Sequence, residues 1–252
     1  MQTRVIILAA GKGTRMKTDT PKALIPFEGK PLIRHLLDAV AASGVDPRPV
    51  IVTGFQAQLV EQTLGPGYEY VRQDEQLGTG HAVASAEHML SGKANQVIVL
   101  YADHPFVRAS RIRELRDLHE REQCPFSLMT VIVPDFNGWR EPLADFSRII
   151  RDESGKIIRD VQVKDAAPAE LEIHEVNPAL FCFSASWLWP HLKKLDNNNA
   201  KQEYYLTDLV KIAIDEKACI ASMRIDPSEA IGLNTPGQLE LAKNIIGRLS
   251  SL

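Results

Sequence analysis

The sequence predicts an α/β fold in which a mixed, mostly parallel sheet is flanked by helices and carries a small antiparallel sub-lobe. Three observations predict it. Short β-branched runs alternate with helical patterns through the first half of the chain, and the second half changes to short strands separated by turn signals. In addition, 44% of the 252 residues are hydrophobic, which excludes disordered, collagenous and low-complexity proteins. Alternating strands and helices are typical of a parallel sheet covered on both faces.

In the first half, strands are predicted where short apolar runs lie between turn signals, and helices where apolar residues recur at helical spacing. The predicted strands are residues 5–9, 49–53, 68–71, 96–101 and 126–133. The predicted helices are residues 31–43, 56–64, 81–90 and 110–122, the last with Ser110 as its N-cap.

In the second half, we expect antiparallel strands, then two helices, one more strand and a closing helix. The predicted strands are residues 148–151, 157–163, 172–176, 180–183 and 219–225. The predicted helices are residues 185–194, 206–216 and 235–249. Thr235 is the expected N-cap of the closing helix, with Pro236 at its first position. No internal repeat, linker or charge block divides the sequence, so we expect one domain.

The charge balance argues against a bulk nucleic-acid binder and against an anionic-membrane binder. Lys and Arg number 29 and Asp and Glu 32, a net charge of −3 with His neutral, too little positive charge for either partner. No apolar run approaches the roughly 18–20 residues of a membrane span. The N-terminal apolar stretch is too short for a signal peptide, so we expect a soluble, cytoplasmic protein.

The three cysteines, Cys124, Cys182 and Cys219, are widely spaced and odd in number. The sequence holds no CxxC pair and no cluster of Cys and His. We therefore expect reduced thiols, with neither a zinc site nor a disulfide framework.

A glycine-rich loop follows the first predicted strand and is the first candidate site. Gly11 and Gly13 can take positive φ and leave room for phosphates against bare backbone N–H groups. Lys12 and Arg15 add positive charge to the same loop, and Lys22 follows a few residues later. Because open α/β sheets bind ligands at the carboxyl ends of their strands, the loop is expected to bind phosphates.

Other interpretations of this loop remain open. The spacing is not GxxxxGK[ST], which excludes a P-loop, and Met16 stands where a third glycine would complete GxGxxG, which disfavours a dinucleotide site. The two glycines alone also fit a plain turn. The cations favour an anion-binding loop, because several of them on one turn repel one another without an anion.

The run from Leu8 to Met16, Leu-Ala-Ala-Gly-Lys-Gly-Thr-Arg-Met, with Pro21 and Lys22, resembles the signature of sugar-1-phosphate nucleotidylyltransferases. The resemblance implies a Rossmann-like fold of the nucleotide-diphospho-sugar transferase type, with the loop wrapped around a nucleoside triphosphate. It implies two catalytic residues, Arg15 at the β- and γ-phosphates and Lys22 at the reacting centre. The implied nucleotide-binding residues of the loop are Leu8, Ala9, Ala10, Gly11, Gly13 and Thr14.

A second segment, Gln73-Asp-Glu-Gln-Leu-Gly-Thr-Gly-His-Ala82, indicates which nucleotide is bound. The amide of Gln73 can donate and accept at once, which suits a nucleobase edge; a polar turn before a capped helix is the alternative. The string resembles the UTP-binding segment of bacterial N-acetylglucosamine-1-phosphate uridylyltransferases, which implies that Gln73, Gly78 and Thr79 contact uracil. We expect His81 to be a helix-start or packing residue.

This resemblance covers almost the whole chain. Residues 197–208 and 231–236 match segments of the same enzymes, and the match runs from residue 5 to about residue 241. The bacterial uridylyltransferase that the sequence resembles is the N-terminal half of a bifunctional enzyme whose second half is an acetyltransferase. No hexapeptide repeats appear in this sequence, so no acetyl transfer is expected.

The implied organisation is a single nucleotidylyltransferase domain over residues 1–252. Within it, residues 1–135 are expected to be mainly nucleotide-binding. Residues 136–230 are expected to be mainly a sugar-binding sub-lobe with return strands, and residues 235–250 a closing helix.

A carboxylate, Asp103, follows the predicted strand 96–101 at the sheet edge where a ligand is expected. Mg²⁺ takes one or two protein oxygens besides phosphate oxygens, and the resemblance implies that Asp103 and Asn234 supply them. A loop-capping role or an ion pair with Arg108 is the alternative for Asp103. The implied reaction is an in-line attack of a sugar-1-phosphate oxygen on the α-phosphorus of UTP, and the metal and nearby cations neutralise the developing charge.

The sugar side departs from that family. The implied sugar-binding residues are Tyr101, Ser147, Gln162 and Asn177. Four changes are expected on this side: Ala102, Ser147 and Pro178 stand where the family has glycine, glycine and threonine, and Gln162 replaces a glutamate. A hydrogen bond to a charged group is worth about 1.5–3 kcal/mol, so this last change could alter the affinity for a sugar.

We hypothesise that the acceptor differs from N-acetylglucosamine-1-phosphate, for instance a related hexose-1-phosphate. Neutral drift in an enzyme with the same substrate is the alternative. Two further functions stay open: a nucleotidylyltransferase that uses CTP or dTTP or a non-sugar phosphate, and a catalytically weak nucleotide-sugar-binding regulatory protein. The uracil-binding string disfavours the first, and the intact phosphate- and metal-binding residues disfavour the second. We expect no nucleic-acid or membrane partner, and a monomer or dimer.

Overall fold

The computed structural model of the protein describes residues 2–199 and 201–249, with side chains through Lys243. Met1, Ala200 and residues 250–252 fall within the expected domain bounds but lie outside the described residues, and Ala200 also belongs to the matched segment 197–208.

The described residues form strands and helices in the predicted order, with three short elements added that were not predicted: Pro26–Phe27, Lys30–Pro31 and Pro168–Leu171. The strands are β1 (Thr3–Leu8), β2 (Pro26–Phe27), β3 (Lys30–Pro31), β4 (Val50–Thr53), β5 (Glu69–Arg72), β6 (Gln96–Tyr101), β7 (Phe126–Ile132), β8 (Ser147–Arg151), β9 (Ile157–Val161), β10 (Glu175–Asn177), β11 (Phe181–Ser184) and β12 (Ile220–Arg224). The helices are α1 (Leu32–Ser43), α2 (Ala57–Leu64), α3 (Thr79–Ser85), α4 (Glu87–Leu90), α5 (Ala109–Glu122), α6 (Pro168–Leu171), α7 (Ala185–Leu192), α8 (Asp208–Asp215) and α9 (Pro236–Leu249). Over the described ranges, no helix combines the length and the apolarity needed to cross a membrane.

A ten-stranded sheet has the order β5-β4-β1-β6-β11-β7-β10-β8-β9, with β12 paired to β7. Its N-terminal part is parallel, since β1 pairs with β4 and β6, and β4 pairs with β5. Val5 and Ile7 of β1 pack into a core with α1 and α5, whereas Ile6 and Leu8 pack on the opposite face with α3, α7 and α8. Burial of each such side chain contributes about 1.5–3 kcal/mol. The predicted α/β fold, with helices on both faces, is confirmed.

The second half of the chain forms the antiparallel side of the sheet, as predicted. β10 lies between β7 and β8, and β8 pairs with β9, all antiparallel. β11 pairs antiparallel with both β6 and β7 and so joins the two parts. Ser147 and Asn177 are register partners across β8 and β10, which brings two predicted acceptor residues side by side.

Two predicted helices differ in detail. The helix expected at residues 81–90 is interrupted at Ala86, whose N–H bonds to the carbonyl three residues earlier at 3.0 Å, the tighter spacing of a 3₁₀ turn. Ser110 is not the N-cap of α5, because the helix starts one residue before it. At the true cap, the Arg108 N–H donates to the Glu229 carboxylate at 3.2 Å.

Two other ends show how side chains set boundaries. The strand expected at residues 172–176 is shorter and later, because the preceding residues form α6, where the Glu170 carboxylate accepts from the Ala167 N–H at 2.8 Å. Thr235 caps α9 as predicted, since its hydroxyl oxygen accepts from the Gln238 N–H at 3.2 Å.

The expectation of reduced thiols without a disulfide is wrong. Cys124 and Cys219 form a disulfide, with their Cα atoms 5.0 Å apart and a separation of 95 positions in sequence. The parallel pairing of β12 with β7 sets Ile220 opposite Phe126. Cys219 directly precedes Ile220 and Cys124 lies two residues before Phe126, so this pairing brings both cysteines to the same end of the two strands. Cys182 is a buried free thiol.

Candidate active site

Two cavities open near the carboxyl ends of β1 and β6. The smaller has a volume of about 260 Å³ and the larger about 640 Å³. Thr79, Tyr101 and Asp103 line both of them. We name the smaller the nucleotide cavity and the larger the acceptor cavity, after the residues predicted for each side.

The fold brings most of the predicted nucleotide-binding residues to the nucleotide cavity. Its lining includes Leu8, Ala9, Ala10, Gly11, Lys22, Gln73, Gly78 and Thr79. Gly13 and Thr14 are outside the lining of both cavities. Gly13 has a φ of 65°, and a Cβ there would lie 2.7 Å from Cβ of Lys22. Its role is therefore to let the loop pack against Lys22, because a larger residue would be strained and would collide.

The acceptor cavity collects the predicted sugar-binding residues. Its lining includes Tyr101, Ser147, Gln162, Asn177 and Pro178. Arg15, predicted at the β- and γ-phosphates, and Asn234, predicted as a metal ligand, also line this cavity. Ala102 lines the nucleotide cavity instead, and its N–H donates to the carbonyl oxygen of Leu8 at 3.1 Å. The expectation that all four sequence changes fall on the sugar side is therefore wrong for Ala102.

Lys22, Asp103, Asn234 and Arg15 meet at the boundary between the two cavities. The Lys22 ammonium forms an ion pair with Asp103 and donates to Asn234 Oδ1 at 2.7 Å. The Arg15 guanidinium donates to the same Asn234 oxygen at 2.9 Å. Since Arg15 and Asn234 are 219 positions apart, the fold and not the local sequence assembles this cluster.

The charge of Asp103 follows from its neighbours. Burial raises the pKa of the Asp103 carboxyl, but the Lys22 ammonium and His104 outweigh it and hold the pKa below its usual range. Burial lowers the pKa of His104 despite the nearby Asp103. Arg108, the alternative partner for Asp103, instead lies 3.9 Å from Glu229. Asp103 is therefore an ionised carboxylate at neutral pH.

Asp103 and Asn234 fit a hard divalent cation. Their side-chain oxygens both contact Lys22 Nζ, so they converge on one point beside both cavities. A carboxylate and an amide oxygen, with room for phosphate oxygens, are ligands that Mg²⁺ takes in nucleotide sites. Within residues 2–199 and 201–249, no group of three or more His, Cys, Asp or Glu side chains forms a metal cluster.

Gln73 reaches the nucleotide cavity just beyond β5, and it is only 3% exposed. Its amide nitrogen donates to the carbonyl oxygen of Gly78 and to Nδ1 of His81, both at 3.0 Å. Both N–H groups of this amide therefore have partners within the protein, and its contact with a base stays a prediction. His81, which we expected to be a helix-start or packing residue, contacts the predicted base-binding group.

The segment from Gly78 to Gly80 is hydrogen-bonded to the residues around Tyr204. The Gly80 N–H donates to the Tyr204 carbonyl at 2.8 Å, and the Leu206 N–H donates to the Thr79 hydroxyl at 2.9 Å. Gly78 has a φ of 108°, and a Cβ there would lie 2.6 Å from the Tyr204 carbonyl oxygen. The wall of the nucleotide cavity is thus held in place by its own hydrogen bonds.

Asp160 lies behind the acceptor cavity and was missed by sequence reasoning. The Asn177 amide nitrogen donates to Asp160 Oδ2 at 2.8 Å, and Asn177 Oδ1 accepts from the Ala179 N–H at 2.8 Å. Burial raises the pKa of Asp160 to about 6, although Ser147 opposes the rise. Within the described residues, neither Asp160 Oδ1 nor Ser147 Oγ makes a hydrogen bond of regular geometry. The sequence did offer one signal for it: Asp160 is an acidic residue inside a predicted strand. In the structure it is paired with Ile149 of β8.

Gln162 and several charged groups complete the acceptor cavity. The Gln162 amide nitrogen lies 3.4 Å from the Thr207 hydroxyl, a long and weak hydrogen bond. The charged residues in the lining, His104 aside, are Arg15, Asp103, Asp145, Lys164 and Lys201. Asp103 is already paired with Lys22, so the charge that remains favours an anionic ligand.

Comparison with known proteins places the sequence among nucleotide-using enzymes. Residues 5–208 match the MobA-like NTP transferase domain family. The chain is 38% identical over 239 residues to the bifunctional protein GlmU of Brevibacillus brevis, across 94% of this chain and 50% of that protein. It is 39% identical over 245 residues to the bifunctional protein GlmU of Enterococcus faecalis, across 96% and 52%. The chain thus spans about half the length of the curated relatives it matches.

Solved structures share the fold at low sequence identity. A UDP-glucose pyrophosphorylase complexed with UDP-glucose has a TM-score of 0.76 at 18% identity, covering 98% of this chain and 100% of that one. A CMP:2-keto-3-deoxy-manno-octonic acid synthetase complexed with CTP has a TM-score of 0.72 at 15% identity, covering 99% and 100%. At these identities the likeness shows the fold alone.

Proposed function

The chain belongs to the MobA-like NTP transferase domain family, and we propose that it transfers a uridylyl group from UTP to a sugar-1-phosphate, giving a UDP-sugar and pyrophosphate. The observation that carries the proposal is the cluster of Lys22, Asp103, Asn234 and Arg15 at the boundary of two cavities. A reaction between two phosphorylated substrates needs positive charge where their phosphates meet, and this cluster supplies it.

UTP occupies the nucleotide cavity in this proposal. The backbone of the glycine-rich loop faces its phosphates, and Gln73 and Gly78 face uracil. In this proposal, residues 1–135 bind most of the nucleotide and residues 136–230 form most of the acceptor cavity, within one domain.

Asp103 and Asn234 would hold Mg²⁺ together with phosphate oxygens. When bound there, the ion would supply positive charge that stabilises the transition state of phosphoryl-group displacement. Lys22 exchanges its two protein partners for phosphate oxygens at the reacting centre, because its ammonium is a point charge on a flexible stem. Arg15 binds the β- and γ-phosphates as they become pyrophosphate.

The chemistry needs no covalent enzyme intermediate. A phosphate oxygen of the acceptor attacks the α-phosphorus of UTP, the bond from the α-phosphorus to the bridging oxygen breaks, and pyrophosphate leaves with that oxygen. Holding the two substrates in line supplies much of the rate enhancement.

The acceptors we propose are N-acetylglucosamine-1-phosphate and related hexose-1-phosphates. Two relatives named GlmU are 38% and 39% identical to this chain, and this chain has Ser147, Gln162 and Pro178 in the acceptor cavity. Because the resemblance implies a carboxylate where this chain has the neutral amide of Gln162, we expect a related hexose-1-phosphate to be the better substrate. A cytoplasmic location and a monomeric or dimeric state belong to the same proposal.

Pyrophosphate release tests this function. The purified protein is incubated with Mg²⁺, one of UTP, CTP, dTTP and ATP, and a panel of sugar-1-phosphates, and Lys22→Ala serves as the inactive control. The proposal expects release with UTP and one or a few hexose-1-phosphates, with a UDP-sugar detected by mass spectrometry. Release with CTP alone, or no release with any pair, would contradict it. If UTP bound without turnover, the regulatory interpretation would be favoured.

A further inference from the structure

The amide of Gln73 is held in a single orientation by two acceptors. Its nitrogen donates to the Gly78 carbonyl oxygen and to His81 Nδ1, both at 3.0 Å. A carbonyl oxygen can only accept, so the amide group facing Gly78 must be the NH₂ group and not the oxygen. The reversed amide would set two oxygen atoms against each other in a buried place, which is costly.

The Gly78 carbonyl cannot turn away from this contact. It also accepts from the Ala82 N–H at 3.1 Å, as part of the first turn of α3. Its own residue is fixed by the close approach of Tyr204, which leaves no space for a Cβ. The frame that orients Gln73 is therefore rigid on the Gly78 side.

His81 closes the frame on the other side. Because its Nδ1 accepts from Gln73, the hydrogen of a neutral imidazole lies on Nε2. With both amide hydrogens used, Gln73 presents only Oε1 to a ligand. Within the described residues, no group donates to Oε1, and the side chain lines the nucleotide cavity.

We propose that His81 is a positioning residue that sets the choice of base, because it helps to hold Gln73 as a pure hydrogen-bond acceptor. The inference rests on the proposed binding of UTP. The N3 position of uracil or thymine is a donor that Oε1 can accept, whereas N3 of cytosine is a second acceptor that Oε1 repels. Without the His81 acceptor, the amide has one unpaired N–H that can turn toward the base, and the discrimination against CTP weakens.

Three variants separate this role from packing. His81→Phe keeps a ring of similar size and removes the acceptor, and His81→Leu repeats the test with a smaller apolar side chain should the first variant fail to fold. His81→Asn places an amide oxygen near the position of Nδ1 and keeps an acceptor. His88→Leu, at an exposed histidine on α4, is the control for histidine replacement as such.

Dissociation constants for UTP and CTP, measured by calorimetry with Mg²⁺, give the readout and need no acceptor sugar. We expect the wild type to bind UTP more tightly than CTP. In His81→Phe, the ratio of the CTP to the UTP dissociation constant should fall roughly tenfold, the effect of one hydrogen bond. His81→Asn and His88→Leu should retain the preference to within about threefold. Thermal unfolding checks that each variant is folded.

The outcomes distinguish this inference from the proposed function. If the wild type prefers UTP and His81→Phe prefers it equally, or if His81→Asn loses as much as His81→Phe, the role of His81 is refuted while the transferase proposal stands. If the wild type binds CTP as tightly as UTP, the orientation argument itself fails. An absence of pyrophosphate release with every nucleotide and sugar pair refutes the transferase proposal, whatever the binding preference.

Discussion

The nucleotide cavity and the acceptor cavity share Asp103, but their polar groups are satisfied to different degrees. On the nucleotide side, both N–H groups of Gln73 and the Thr79 hydroxyl have partners within the protein. On the acceptor side, the buried atoms His104 Nδ1 and Ser147 Oγ have no partner of regular geometry among the described residues. Buried polar atoms are costly without partners, so the first cavity is organised in advance and the second gains partners from its ligand.

The backbone shows the same difference. In the nucleotide cavity and its loop, positive φ falls on Gly13 and Gly78, at 65° and 108°. In the acceptor cavity, Ala179 has a φ of 62°, a conformation that costs a residue with a Cβ roughly 1–2 kcal/mol. The turn after Asn177 is thus held by the Ala179 N–H bond to Asn177 Oδ1 against its own strain. Under the proposed function, this contrast means that base choice is built into the fold, while acceptor choice depends on a few adjustable side chains.

The largest effect is expected at Asp103, which lines both cavities. Asp103→Asn removes the carboxylate that faces Lys22 and the proposed metal, so kcat should fall by roughly 10³-fold or more. Steady-state pyrophosphate release measures it, with Asp117→Asn, an exposed carboxylate on α5, as the matched control. Activity within tenfold of the wild type would remove Asp103 from the account.

A smaller effect on stability is expected from the buried carboxyl behind the acceptor cavity. The pKa of Asp160 is raised from 3.8 to about 6 by burial, with Asp208 adding to the rise. The protonated carboxyl therefore contributes stability that is fully present below its ordinary pKa and is lost as the pH rises through about 6.

Asp160→Asn removes this titration. Between about pH 4 and about pH 8, the wild type should lose about 2–3 kcal/mol of unfolding free energy relative to the variant. Urea unfolding across that range measures the difference. A difference that stays constant with pH would show that Asp160 does not titrate as described.

The same variant sharpens the comparison at the level of binding. The Asp160 carboxylate accepts from the Asn177 amide nitrogen and so fixes the orientation of that amide. In Asp160→Asn, the new side chain can present either its oxygen or its nitrogen to Asn177, so the Asn177 amide is no longer fixed. We expect the KM for the sugar-1-phosphate to rise about tenfold, while the KM for UTP stays unchanged. Asp165→Asn, an exposed carboxylate in the next turn, is the control. An equal rise in both KM values would mean that the two cavities are not separate.

The smallest effect is expected at the strained turn. Ala179→Gly relieves the cost of positive φ but makes the unfolded chain more flexible, so the net gain in stability should be about 0.5–1 kcal/mol. Thermal unfolding followed by circular dichroism measures the gain. A loss of stability would show that the methyl group of Ala179 packs well enough to outweigh the strain.

Much of this molecule could be predicted from its sequence, because the physics there is local. The apolar run of β1 is buried on both faces, the usual state of a central parallel strand, and the glycine-rich loop necessarily lies at its end. Asp103 lies at the same edge of the sheet, because it follows β6, which is parallel to β1. The residues Lys22 and Asn234 were assigned to one site by resemblance, and the fold does bring them within 2.7 Å.

The rest depends on contacts that spacing along the chain does not encode. The disulfide between Cys124 and Cys219 arises from a parallel strand pairing. Asp160 is an acid in a strand whose inward orientation follows from register alone. The loss of donor capacity at Gln73 requires knowing that Gly78 and His81 face its amide nitrogen. Each is a tertiary contact with no local sequence signal strong enough to predict it.

A crystal structure with UTP and Mg²⁺ bound tests most directly the claim that the two cavities divide nucleotide from acceptor. We expect uracil in the nucleotide cavity, with its N3 atom at hydrogen-bond distance from Gln73 Oε1. We also expect the triphosphate at the boundary cluster of Lys22, Asp103 and Arg15, and no base in the acceptor cavity. A base seated in the acceptor cavity among Ser147, Gln162 and Asn177, or a triphosphate that points away from Asp103, would contradict it.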